Sequence, residues 1–174
     1  MSIYAKGSFS GDYVAHGDSD SADVVIGHAF GIRKDSPGTV NEALAGFIDD
    51  RYSHLPILPN RDIARALHTK PEFVLDGDPS NTTGHSGLGT WGELQQATTF
   101  MHQEGLKTAI LVGQAFHIGR IDRQAQMFAM DTVIPEHLPN FFDPESLQWW
   151  TRHRSLWIAR ESLGALVLRH QGKL

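Results

Sequence analysis

Short apolar runs alternate with longer amphipathic stretches along residues 22–170. Strand-length runs fall at 23–27, 55–58, 72–76, 108–113 and 131–134, and apolar positions recur at helical spacing over 39–50, 60–69, 90–105, 116–129 and 144–170. This alternation predicts an α/β fold with a mainly parallel sheet of about five strands, because right-handed crossovers lay the intervening helices on both faces. The run Ala109-Ile110-Leu111-Val112 has no polar member, as a parallel strand covered on both sides requires. Residues 1–21 are rich in Ser, Gly and Asp and lack either period. They read as an N-terminal arm ahead of one domain over 22–174.

Capping chemistry sharpens the helix starts. Thr39-Val40-Asn41-Glu42 and Thr90-Trp91-Gly92-Glu93 have the Thr-x-x-Glu form of capping boxes, in which hydroxyl and carboxylate satisfy orphan amides reciprocally. Asn60 can cap the second helix, and Asp143-Pro144 is placed to open the last one.

Residues 108–128 read as a buried strand that turns at Gly113 into a helix starting near Phe116 or His117, with His117, Arg120 and Arg123 in its first turns. Cations at the positive end of a helix cost roughly 0.3–1 kcal/mol each, which makes sense if an anion sits beside them. Open α/β sheets bind ligands at the carboxyl ends of their strands. His117 is therefore the candidate acid/base, its neutral form favoured by the helix end, and Arg120 the candidate anion clamp one turn further on. Glu42 and Glu93 are candidates to face the substrate in addition to capping. Gly27, His28, Phe30 and Gly31 follow the first strand and offer backbone amides. Asp76, Thr90, Gly113 and Gln114, at other strand and helix ends, complete the expected binding set.

The 174 residues suit one domain. The absence of cysteine excludes disulfides, thiolate metal sites and cysteine nucleophiles. A net charge of −5 with scattered lysines and arginines argues against a nucleic-acid partner. No run approaches the roughly 20 apolar residues of a bilayer span, and no basic-then-apolar signal opens the chain. The expectation is a cytoplasmic protein with a small-molecule ligand and no membrane partner.

Other motifs rank lower. Gly87-x-Gly89-x-x-Gly92 matches a dinucleotide fingerprint, but a long loop separates it from the preceding strand and Val112-Gly113 stand where the acid about 20 residues on belongs. Gly84-His85-Ser86-Gly87 lacks the closing glycine of a nucleophile elbow, so Ser86 with His117 or His28 as base stays behind the leading reading. His28, His85 and His117 can converge with Asp76 and Asp78, yet no pair has close ligand spacing, and no metal is assigned. The aromatic and basic residues over 141–160 read mainly as core.

Taken in order, several segments resemble the YdcF, SanA and ElyC group of bacterial proteins, the family built on domain of unknown function 218. They are Val24-Val25-Ile26-Gly27-His28-Ala29-Phe30-Gly31, Asn41-Glu42-Ala43-Leu44-Ala45, Asp62-Ile63-Ala64-Arg65-Ala66-Leu67, Thr90 with Glu93, Phe116-His117-Ile118-Gly119-Arg120, Trp150-Thr151-Arg152 and Arg160-Glu161. The likeness covers residues 22–170, and His117 with Arg120 after a strand is its strongest piece. It implies a Rossmann-like three-layer α/β/α sandwich with a pocket at the carboxyl edge of the strands. One member looks like an S-adenosylmethionine binder, so that is the cofactor the resemblance allows. The chain departs from the pattern at Gly27-His28, at Pro59-Asn60 and at the stretched Thr90-Trp91-Gly92-Glu93.

The expected function is an enzyme, of unassigned reaction class, acting on an anionic ligand that is phosphorylated, carboxylated or nucleotide-like. A non-catalytic ligand sensor or S-adenosylmethionine-binding module is the alternative. A serine or metal-dependent hydrolase ranks behind both.

Overall fold

The computed structural model describes residues 11–75 and 89–172. Its strands are β1 (Val24–Gly27), β2 (Ile57–Pro59), β3 (Thr108–Val112) and β4 (Asp131–Val133), all parallel and ordered β2-β1-β3-β4. The central pair runs in register from Val24 opposite Ala109 to Gly27 opposite Val112. All of β1 is buried, as is β3 from Ala109 onward, which is why their sequences carry no solvent-facing polar alternation.

The helices are α1 (Thr39–Tyr52), α2 (Arg61–Ala64), α3 (Gly89–Glu104), α4 (Ala115–Met127) and α5 (Arg154–His170). Val40, Leu44, Ile48 and Tyr52 recur every four residues and are buried, so α1 presents one apolar stripe to the sheet. Ile118, Ile121 and Ala125 do the same for α4. The chain steps from β1 out to β2, then returns past β1 to β3 and on to β4. Right-handed crossovers accordingly put α1 on one face and α3 with α4 on the other, where those two helices pack together. The first half of α5 packs beside the carboxyl ends of the central strands, its Trp157 ring 4.7 Å from that of Phe30 and 5.2 Å from that of His117.

Four strands stand where about five were expected. The described part of the 72–76 stretch supplies a single bridge, Leu75 to Asn60. Glu72 and Leu75 donate to the carbonyls of Ile57 and Pro59, but Pro59 has no N–H to return. The helix expected over 60–69 is the one turn of α2, capped by Asn60 as expected through Asp62 N. Its continuation ends where the Asp49 carboxylate of α1 captures the amides of His68 and Thr69.

The helix expected over 144–170 begins only at Arg154, after a single 3-10 turn over Trp149–Thr151. Asp143 opens only a turn there. Its carboxylate does accept locally from Glu145 N at 3.1 Å, but it also takes two hydrogen bonds from Arg33, at 2.8 and 2.6 Å, and one from the backbone of Thr39, with Arg33 the main cause of its lowered pKa. Asp143 therefore caps α1, whose N-cap is Gly38 with no capping side chain of its own, and the capping box expected at Thr39 does not form.

Candidate functional site

Because β2 lies on one side of β1 and β3 on the other, the loops leaving β1 and β3 diverge at their carboxyl ends. Open α/β sheets bind ligands at this topological switch point. A cleft of about 150 Å3 opens there. Phe30 and Gly31 reach it from the loop after β1, Asn60 and Asp62 from the start of α2, Thr90 and Glu93 from α3, and His117 and Arg120 from α4, while Trp150, Trp157 and Arg160 close it from the C-terminal region.

Two polar networks share the cleft. In the first, Glu93 is 5 % exposed; its Oε2 lies 2.8 Å from His28 Nδ1 and its Oε1 accepts from Asn60 Nδ2 at 2.7 Å. A carboxylate only accepts, so Nδ1 of His28 is the donor in this contact. Its Nε2 is buried and has no hydrogen-bond partner among the described residues. The arrangement is an oriented imidazole ring backed by an acid.

The second network joins α3, α4 and α5. Arg120 Nε donates to Glu161 Oε1 at 2.5 Å, and Arg160 Nη1 reaches Glu161 Oε2 at 3.4 Å. Arg120 also approaches Thr90 Oγ1 at 3.3 Å and His117 Nε2 at 3.4 Å. Thr90 Oγ1 is itself 3.3 Å from His117 Nε2. Guanidinium has no acceptor, so Nε2 is the accepting nitrogen and Nδ1 of His117 carries the proton. Nδ1 is buried with no hydrogen-bond partner among the described residues. Burial, then the charge of Arg120, then His28 and Arg160 hold the His117 pKa well below the ordinary histidine value. The imidazole is therefore neutral at physiological pH.

The fold brings His28, Phe30, Gly31, Thr90, Glu93, His117 and Arg120 together from three separate segments. Gly27 and Gly113 sit beside the cleft as packing positions: a Cβ on Gly113 would lie 2.8 Å from Ile121 Cδ1, and one on Gly27 3.1 Å from Ile48 Cδ1. Gln114 is the N-cap of α4, accepting from Phe116 N, and does not line the cleft. Glu42 is exposed in the first turn of α1 and also lies off the cleft lining. Thr90 and Glu93 are engaged with His117, Arg120, His28 and Asn60, not with each other as a capping box. Asp76, Asp78, His85 and Ser86 lie outside the described residues. Among the described residues no group of three His, Asp or Glu side chains is placed to hold a metal ion.

Asp62, Arg160, Glu161 and the double role of Asn60 were not singled out as site features from the sequence. One signal for Glu161 was available. It follows Trp157 by four residues, which places a carboxylate on the apolar face of a helix. Among the described residues no helix is long and apolar enough to cross a membrane. Comparison with protein-family models, with curated proteins and with solved structures gives no match.

Proposed function

We propose that this chain is a YdcF-like enzyme that binds an anionic small molecule, phosphorylated, carboxylated or nucleotide-like, in the cleft at the carboxyl ends of β1 and β3. The observation that carries the reading is the meeting of two guanidiniums, Arg120 and Arg160, with a buried neutral His117 on one cleft wall. Arg120 is the anion clamp, and Glu161 holds its Nε so that the Nη groups turn toward Thr90 and His117. His117 is the acid/base. Its basicity is coupled to the ligand: an anion that offsets Arg120 and Arg160 removes two of the charges that depress its pKa and draws the guanidinium away from Nε2. Proton transfer then becomes available when the site is filled.

One observation favours a non-catalytic ligand sensor, with S-adenosylmethionine as the allowed ligand. The Glu161 carboxylate already neutralises much of the clamp, and the cleft also carries Asp62 and Glu93. A cationic or zwitterionic ligand suits that balance.

Titration of the histidine ring nitrogens by NMR, with and without inorganic phosphate, tests the leading reading. Phosphate is expected to raise the His117 pKa and to raise the melting temperature, the latter by mass action. A His117 titration and a melting temperature both indifferent to phosphate, pyrophosphate and nucleoside monophosphates would refute it. If turnover of an identified ligand survives His117→Gln, the acid/base role falls while the binding role stands.

A further inference from the structure

A second hollow adjoins the cleft and differs from it in chemistry. It is a groove of about 590 Å3 whose walls are largely apolar, with Trp91, Trp149, Leu163, Val167 and Leu168 among its lining. Trp149, Leu163 and Val167 are 52 %, 69 % and 56 % exposed. Leu163 and Val167 continue from Ala159 at four-residue spacing, an apolar stripe on the outer side of α5 where a free surface helix would carry charge.

Groove and cleft share a wall. Gly89, Thr90, Arg120 and Arg160 line both, so the guanidiniums that face the cleft also mark the polar end of the groove. Gly164 supports this reading from another direction. A glycine inside a helix is destabilising relative to alanine, and here a Cβ would lie only 3.2 Å from Arg160 Nη1. The missing side chain leaves room for the Arg160 guanidinium to lie back along α5 at the boundary between the two hollows.

We infer that the ligand is an amphipathic anion: its charged group sits in the cleft against Arg120 and Arg160, and an apolar chain or ring system extends into the α5 groove. This rests on the anion-binding reading above and adds the substrate class to it. Ligand sites are commonly apolar hollows with a few placed polar groups, and the two hollows together have that composition where the cleft alone does not.

The test is calorimetric binding of inorganic phosphate, n-butyl phosphate and n-octyl phosphate to the full chain, below micelle-forming concentration. Each fully buried methylene tightens binding roughly fourfold; for a groove open on one side, the octyl ester is expected to bind at least about tenfold tighter than the butyl ester. Leu163→Asn with Val167→Asn, both exposed positions, is expected to erase that gain and leave inorganic phosphate binding unchanged. Equal affinity of the two esters overturns the groove assignment and leaves the anion site intact, while no binding of any of the three overturns both. A chain-length gain that survives the double substitution places the chain elsewhere and also overturns it. So does a concentration-dependent dimer that the double substitution dissolves, because the stripe is then covered by a second copy.

Discussion

Replacing Glu161 by alanine removes a carboxylate that both cleft arginines share. The side chains of Glu161 and Arg120 are 2 % and 10 % exposed, so this is a buried ion pair. Deleting one partner of such a pair costs about 3–5 kcal/mol because the other charge stays behind in low dielectric. Arg120 retains Thr90 and Gln124 as acceptors at 3.3 and 3.5 Å and borders a cleft that admits water, which places Glu161→Ala at the lower end, about 3 kcal/mol. For a chain of this size that is a fall of about 6–12 °C in melting temperature. Equilibrium urea unfolding measures it directly, with an unchanged m-value expected, since the surface exposed on unfolding is the same. The double variant Arg120→Met with Glu161→Leu recovers most of the loss, because apolar replacement of a whole buried pair is often close to neutral. A Glu161→Ala variant within about 1 kcal/mol of wild type, or a double variant no more stable than the single, would show that the pair behaves as an exposed salt bridge and that Glu161 does not hold the clamp.

Three further outcomes follow from the same geometry. His117 is neutral in the fold with a lowered pKa, whereas in the unfolded chain it takes a proton near pH 6.5; its contribution is complete above that pH and is lost as pH falls toward the folded value, by up to about 1.4 kcal/mol per pH unit. His117→Gln should flatten urea-measured stability between pH 7 and 5, and an unchanged slope would refute the burial of a neutral ring. Gly31 has φ of +84° and its Cβ would lie 3.0 Å from Ser146 Oγ, so Gly31→Ala should cost about 2 kcal/mol from left-handed strain and crowding, read as a lower melting temperature; a variant as stable as wild type would contradict it. Asn60→Ala loses a cap, about 1 kcal/mol, and the donor to a buried Glu93 oxygen, about 1–3 kcal/mol more. Asn60→Asp keeps the cap but sets a second carboxylate against Glu93, so recovery of full stability by the aspartate variant in urea unfolding would show that capping was the whole role.

Much of the fold was legible because its signals are local. The uninterrupted apolar runs of β1 and β3 announced strands buried on both faces, and the four-residue recurrence in α1 announced a helix with one sheet-facing stripe. His117 and Arg120 stood out because a spacing of three on a helix puts two side chains on one face. Where the reading went astray, a distant side chain had intervened. Thr39 and Glu42 have the form of a capping box, but the Asp143 carboxylate arrives from beyond β4 to take the Thr39 amide. The helix through Leu67 had nothing in its own sequence to stop it at one turn until Asp49 of α1 captured the next amides. Pro59 hindered a fifth strand by lacking a donor, a local fact whose meaning depended on which edge of the sheet it occupied.

The candidate site divides along the same line. Periodicity along the chain suffices for the type of the elements that do form, for the parallel sheet and for a histidine and arginine at a strand's carboxyl end, because helix and strand geometry repeat within a few residues. The pairings that give these groups their chemistry span the molecule: His28 meets Glu93 across 65 positions, Asn60 meets Glu93 across 33 and Arg120 meets Glu161 across 41. Those contacts exist because the sheet order brings β1 beside β3 and the first half of α5 packs next to their ends. Burial then changes what the side chains are. A histidine that would titrate near neutrality in water becomes a neutral ring wedged against a guanidinium, and a helical glutamate becomes the counter-charge of a cleft, since low dielectric and fixed partners arise only once distant segments have closed around them.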